Sequence, residues 1–261
     1  MISYNPEYIK KTIFFTKAET DNLLKITSNI NIDNIIKQIN DKSLADKMCF
    51  DFIYTSAVIE GNSYTRGEAQ TLFETKKPVS TKNIDDANML LNIKTALNYV
   101  LFEKPVINKH TIKEVHQILS QGLLPPNKIG CVRTTPVFIA NSDYKPLDNA
   151  HNLETQMDIM LNTYNSIENI FDKAVYIHNN IAYLQYFQDC NKRLARIMQT
   201  LSLINNNMPF LSYNALEAKA EISALYKDAL LAYYEQGDIK PYTKFFIAEY
   251  TKTINLIING I

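Results

Sequence analysis

Between Leu184 and Arg196 the chain reads LQYFQDCNKRLAR, an acid, three amides and three basic residues ahead of the apolar run IMQTLSLI. If Arg193 starts the first full turn of a helix reaching Ile204, Asp189 to Lys192 form the loop feeding its N-terminus. Unpaired backbone N–H groups and the helix dipole favour an anion there. Arg193 and Arg196 are three apart and share a helix face, and two guanidinium forks beside free amides suit a polyphosphate better than a single carboxylate. Asp189 would repel bare phosphate but suits a magnesium ion bridging phosphates, and Asn191 can donate its amide to a phosphate oxygen. Leu194, Ile197, Met198 and Leu201 anchor the opposite face. The plain alternative is a solvated helix start with an aspartate near the N-cap and two surface arginines.

The elements that must position this stretch are mostly helical. The chain has 261 residues, 46% hydrophobic and 21% charged, with 6 Gly and 9 Pro, enough for one large domain or two small ones with a sizeable core. Helical periodicity runs from Ser43 to Ile59, with Leu44, Met48, Phe52 and Ile59 near one stripe, and from Asn83 to Phe102, with Ile84, Ala87, Leu91, Leu97 and Leu101. It continues through Ile107, Ile112, Val115 and Leu119 to a stop near Gly122, then over Leu153–Tyr164, Ile170–Tyr183 and the charged motif to about Asn205. Two further helices follow, one from Asn214 towards Gly237 and one from Ile239 onward. Gly130 to Asp148 breaks the pattern, with β-branched residues around Pro136 and turn formers at Asn141, Ser142 and Asp143, which predicts a short β-hairpin or extended flap. The expected class is all-α with one extended insertion: a helical segment over residues 1–105 packed on a helical core over 106–261 as one compact body.

Several function classes are set aside on composition. A net charge of +0 gives no global attraction to nucleic acid or an acidic membrane, although Lys192, Arg193 and Arg196 form a local basic patch. Cys49, Cys131 and Cys190 have neither zinc-site spacing nor the density of a disulfide framework. No stretch resembles a signal peptide or reaches the length of a membrane span, so the expected location is cytoplasmic. The abundance of Asn, Ile and Lys is put down to biased genome composition.

The charged stretch resembles a degenerate copy of the Fic family signature, H-x-F-x-[D/E]-G-N-G-R-x-x-R: Phe187, Asp189, Asn191, Arg193 and Arg196 match it. Gln185 stands at the position of the family's histidine, and Cys190 and Lys192 replace its two glycines. RTTPVFIANSDYKPLD resembles the family's flap, SAVIEGN (Ser56–Asn62) resembles its inhibitory-helix pattern [S/T]-x-x-x-E-[G/N], and ALLAYYEQGDIKPYTKFF resembles the segment after the core. The resemblance implies a Fic-type helical fold that binds ATP at the loop, with Mg2+ on Asp189 and phosphates on Asn191, Lys192, Arg193 and Arg196. It further implies transfer of AMP to a hydroxyl of a target protein, held by strand-like pairing along Val137, Phe138 and Ile139. Glu60, with Ser56 one turn earlier on the same face, would pair with Arg196 and displace the γ-phosphate. Read without the family, the same segment is an amphipathic helix capped at Gly61.

The departures bear on chemistry. A glutamine amide cannot act as a base, and losing a positioned general base costs about 10²–10⁴ in rate. His178 lies seven residues earlier, roughly 10 Å along a continuous helix, and reads as a core residue; His110, His116 and His151 read as structural. Cys190 reads as a small buried side chain rather than a nucleophile, and with Lys192 it brings a Cβ where glycine would leave room for a phosphate. DCNKR is also similar to the D-A-N-K-R of Doc toxins, the phosphorylating branch of the family. The expectation is a nucleotide-binding pseudoenzyme or strongly impaired AMP transferase. The alternatives are an active Fic or Doc-like transferase and a helical interaction scaffold with an empty cleft. The target protein is not named by the sequence, and a homo-oligomer stays open.

Overall fold

The structure is a computed structural model that describes residues 1–39, 44–213 and 219–260. Two antiparallel helices on either side of the charged loop form its centre: α8 (Ile170–Leu184) and α9 (Asn191–Ile204). Every α8 residue except Ile170 and Lys173 is buried, as is every α9 residue except Lys192. Helices enclosed in this way lose the one-sided stripe of a surface helix, so other elements must cover them all round. α5 (Ile84–Glu103) and α6 (Lys109–Ser120) pack on α9, while α7 (Ala150–Ser166) and α10 (Lys219–Gln236) pack on α8. α3 (Leu44–Ile59) packs between α5 and α10, and α10 packs in turn on α11 (Lys240–Gly260). The short helices α1 (Lys17–Thr27), α2 (Ile32–Lys37) and α4 (Arg66–Thr75) complete the periphery.

The helix starts are specified locally. Thr16 and Thr65 make capping boxes with Glu19 and Glu68, and Asn31, Asn83, Asn108, Asn149 and Asn169 each cap a helix through the side-chain carbonyl. Each such cap is worth about 1 kcal/mol. The asparagine richness attributed to composition bias therefore has structural uses. The first half of α10, expected from Asn214, and the Ser43 start of α3 fall partly outside the described residues. In α5 the buried stripe is Ala87, Leu90, Ile93, Ala96, Leu97, Val100 and Leu101, whereas Ile84 is half exposed. The expected register thus shifts, because α5 contacts α3, α6 and α9 at once.

Of the two expected forms, the extended flap is the one formed and the hairpin is not. Gly130 to Asp148 is extended, but its only regular strand, β2 (Tyr144–Lys145), pairs in parallel with β1 (Ile2–Ser3) at the N-terminus. The first fifteen residues contain one 3-10 turn, Tyr8–Lys10, and run as a strap over α8. The Asn5 N–H donates to the Tyr183 hydroxyl (2.7 Å), Tyr4 stacks on Tyr183 at 4.9 Å, and the Tyr144 hydroxyl donates to the Tyr183 carbonyl (2.8 Å). No helix among the described residues is long and apolar enough to cross a membrane.

The strap also meets the end of α10. Gly237 has φ +65°, and a Cβ added there would lie 2.6 Å from Cε1 of Tyr8. Gly237→Ala is expected to destabilise the protein by about 2 kcal/mol, measured by urea denaturation; an unchanged midpoint would show that the strap yields freely.

Candidate functional site

The loop between α8 and α9 is held open by two residues in the left-handed region: Gln185, which ends α8 (φ +48°), and Cys190, which precedes α9 (φ +63°). Neither is glycine, so each conformation costs of order 1 kcal/mol and must be fixed by its surroundings. Two side chains do the fixing. Arg133 is buried, donating from Nε to the Gln185 carbonyl (2.6 Å), from Nη1 to the Thr135 carbonyl (3.1 Å) and from Nη2 to the Leu147 carbonyl. Its backbone N–H donates to the Tyr186 carbonyl (3.1 Å). His116 stacks flat on Phe187 at 3.8 Å, accepts at Nδ1 from the Gly130 N–H (2.9 Å) and donates from Nε2 to the Asp189 carbonyl (3.2 Å). Together they pin both ends of the flap to the loop. The sequence reads His116 only as structural and gives Arg133 no role; the one trace of the latter is an arginine within the β-branched stretch Val132–Thr135.

The amides of the motif face inward. Gln185 donates from Nε2 to the Ala182 carbonyl (2.7 Å) and accepts at Oε1 from Asn191 Nδ2 (3.1 Å). Asn191 also donates to the Phe187 carbonyl (2.8 Å) and accepts from the Phe187 N–H (3.0 Å). Its amide therefore closes the loop, and a phosphate reaching it would have to displace one of these bonds. His178 is fully buried, stacked on Tyr242 at 4.4 Å and hydrogen-bonded to the Tyr226 hydroxyl (3.0 Å), with burial holding it neutral. Burial pushes the Cys190 thiol up to about 12 and His116 down to about 4. Both histidine nitrogens of His116 are already bonded. These groups offer no proton acceptor at the Gln185 position.

Glu60 meets Arg196. Its Oε1 accepts from Arg196 Nη2 (2.8 Å), while Ser56 accepts from Arg196 Nε at Oγ (2.8 Å) and from Nη2 at its carbonyl (3.0 Å). Oε2 of Glu60 lies 3.1 Å from Lys192 Nζ. The helix α3 ends here in a Schellman-type cap: the Gly61 N–H donates to the Val58 carbonyl and the Asn62 N–H to the Ala57 carbonyl, with Gly61 at φ +89°. The cap and the ion pair are thus one piece of geometry, since the cap fixes the residue that carries the carboxylate. A carboxylate at the C-terminal end of α3 opposes its own dipole, and the N-terminal end of α9 offsets this. Burial would raise the Glu60 carboxyl, but Arg196, Lys192 and Arg193 bring it down to about 2.

In front of this ion pair lies a cleft of about 480 Å³, within the range of small-molecule sites, lined by Glu60, flap residues 137–141, loop residues 188–190 with Gln185, Asn191 and Lys192 of α9, and Lys227, Asp228 and Tyr234 of α10. Glu60 lines the cleft and Arg196 does not, so the carboxylate covers the guanidinium. Nη1 of Arg196 and Nε and Nη1 of Arg193 are buried and have no hydrogen-bond partner among the described residues. Such unpaired donors fit an anion. Asp189 is 63% exposed, with Oδ1 accepting from the Cys190 N–H (2.6 Å) and Oδ2 from Arg193 Nη2 (3.2 Å). No cluster of three metal-ligating side chains exists among the described residues. One carboxylate beside phosphate donors fits a magnesium ion that arrives on phosphates, not one caged by protein alone. Val137 and Ile139 are half-buried, Phe138 is 87% exposed, and the backbone groups of these three make no hydrogen bond among the described residues.

Two outcomes follow. An unfolded glutamate titrates near 4.5 and Glu60 near 2, so its ion pairs add stability above about pH 4.5, and that contribution fades as the pH falls towards 2. The stability gap between the native chain and Glu60→Gln is expected to be about 3 kcal/mol near neutrality and to shrink through that window; a gap independent of pH would show that the carboxylate is not held by charge. At residue 190, Cys190→Gly is expected to be more stable than Cys190→Ala by about 1 kcal/mol, the reverse of the order within a helix, and equal midpoints in urea would contradict a left-handed loop residue.

Comparison with known proteins agrees with this geometry. A family model described as Fic/DOC family matches residues 106–203. The Protein adenylyltransferase Fic of Drosophila willistoni is 27% identical over 213 residues, which cover 80% of this chain and 41% of that protein; that of Drosophila melanogaster is 26% identical over 213 residues. The chain thus spans about two fifths of the length of these curated relatives. Among solved structures, Fic-1 (residues 134–508) from C. elegans aligns with a TM-score of 0.70 at 20% identity, covering 97% of this chain and 72% of that one. A Fic family protein from Desulfovibrio desulfuricans G20 aligns with a TM-score of 0.71 at 19% identity, covering 98% and 77%. These structural likenesses bear on the fold, and the all-α helical architecture is theirs. Over residues 106–203 the chain matches the Fic/DOC family model, and the relatives and structural neighbours it resembles are Fic proteins.

Proposed function

We propose that this protein binds ATP with magnesium in the cleft in front of Glu60, descends from protein adenylyltransferases, and transfers AMP very slowly or not at all. The observation that carries the reading is the Glu60 carboxylate seated on Arg196 (2.8 Å) in front of unpaired arginine donors. A carboxylate in that place occupies the ground a terminal phosphate would take. With Glu60 withdrawn, Arg193 and Arg196 would donate to phosphate oxygens and Asp189 would hold a magnesium ion, which would neutralise phosphate charge. The extended backbone of Val137 to Ile139, without hydrogen-bond partners among the described residues, pairs with a strand of a target protein in the manner of an added β-strand.

Adenylyl transfer requires a target hydroxyl to attack the α-phosphorus as pyrophosphate leaves, with its proton passed to an acceptor. At position 185 the acceptor is absent. The amide is already bonded to Ala182 and Asn191, and it has no basic lone pair at physiological pH. Binding and chemistry are thus separable in this chain.

Incubation with labelled ATP and a cell lysate is the test. The native chain and Glu60→Gly are both expected to label proteins at least about 100-fold more slowly than Glu60→Gly combined with Gln185→His, and mass spectrometry of the labelled products should show the mass of AMP. Brisk labelling by the native chain would overturn the proposal.

A further inference from the structure

Glu60 has two oxygens, and each is held by a different cation. Oε1 receives Arg196 Nη2 at 2.8 Å and Oε2 faces Lys192 Nζ at 3.1 Å. Lys192 and Arg196 are four apart, one turn on the first face of α9, so the carboxylate spans that turn. The glutamate side chain is only 12% exposed, and the lysine 33%. A residue without a side chain at 192 would leave Oε2 turned to the cleft with no partner. We propose that Lys192 is a second lock on Glu60, so that release of the site requires two ion pairs to break, and that the freed lysine then counts among the phosphate-binding cations. The regulatory consequence rests on the nucleotide reading above; the lock itself does not.

The charges around Glu60 make the lysine's part separable. From α9 and the loop before it, Lys192, Arg193, Arg196 and Cys190 face the carboxylate, and from α10 come Tyr226 and Tyr234. The thiol and phenols are raised by burial and stay neutral. Arg196 is fully buried under Tyr226 at 5.2 Å and bonded to Ser56 as well, so its position does not depend on Lys192. Replacing Lys192 removes one of the two partners and leaves the other in place. The two-lock arrangement also predicts opposite signs in two backgrounds. With Glu60 present, losing Lys192 loosens the lock and helps a polyanion enter. With Glu60 gone, losing Lys192 only removes a cation and hinders it.

The test is the titration of the Glu60 side-chain carboxyl, followed by carbon NMR in the native chain and in Lys192→Met. The midpoint is expected to rise by about one pH unit or more in the variant, and an unchanged midpoint overturns the proposal. The second arm is calorimetric titration with a non-hydrolysable ATP analogue and magnesium. Lys192→Met should tighten binding roughly fivefold in the native background and weaken it in Glu60→Gly. Weakening in both backgrounds overturns the lock and leaves Lys192 a phosphate ligand only. If no variant binds the analogue, Glu60→Gly included, the proposed nucleotide function fails, and the carboxyl titration alone decides the lock.

Discussion

A carboxylate at the end of one helix faces the cationic start of another, and the remainder of the structure serves to bring those two ends together. Glu60 sits at the C-terminal end of α3, Lys192 and Arg196 on the first turns of α9. Arg196 and Glu60 are nearly dry and Lys192 is one-third exposed, so desolvation is offset only because the geometry is close and Ser56 also accepts from Nε and Nη2 of the arginine. A buried pair of this kind adds little net stability, yet breaking it from one side costs about 3–5 kcal/mol. That asymmetry suits a restraint. Such a pair would yield only to a ligand able to replace the carboxylate's negative charge on Arg196.

The loop is shaped by contacts that come from outside the motif as well as within it. Left-handed backbone at Gln185 and Cys190 turns the chain so that α9 points its N-terminus at the cleft. Arg133 and His116 hold that turn from outside the motif. Position 190 thus tolerates a side chain because neighbouring groups supply the fixing that glycine would make unnecessary, whereas Lys192, inside α9 without a positive φ, needs no such freedom. The glutamine amide, by contrast, is drawn into the loop by Asn191 and Ala182. A side chain satisfied in this way stabilises the turn and offers nothing to an incoming hydroxyl.

How much of this was readable in the chain depends on the range of the interaction. The charged stretch announced a helix start because capping, dipole and arginine spacing act within a few residues, and α3, α7, α8 and α9 fell near their expected bounds for the same reason. The Glu60–Arg196 contact joins residues 136 apart, and only the resemblance of SAVIEGN to a known pattern pointed to it. Even there, the capped-helix reading and the ion-pair reading were set against each other, whereas Gly61 ends the helix and aims Glu60 at once. Long-range requirements were misread or missed. The buried face of α5 is decided by three neighbouring helices, so Leu90 and Ile93 turned inward where Ile84 was expected. β2 found its partner in the N-terminal strap, not in a hairpin arm. Arg133 and His116 are ordinary in sequence and become posts of the site only when the flap and loop meet.

The central claim is that the cleft accepts a nucleotide once Glu60 leaves Arg196. Melting temperatures of the native chain and of Glu60→Gly, each with and without saturating magnesium and ATP, test it most directly. The account predicts a rise of about 5 °C or more for Glu60→Gly and a much smaller one for the native chain. Equal rises in both, or none in either, would contradict it.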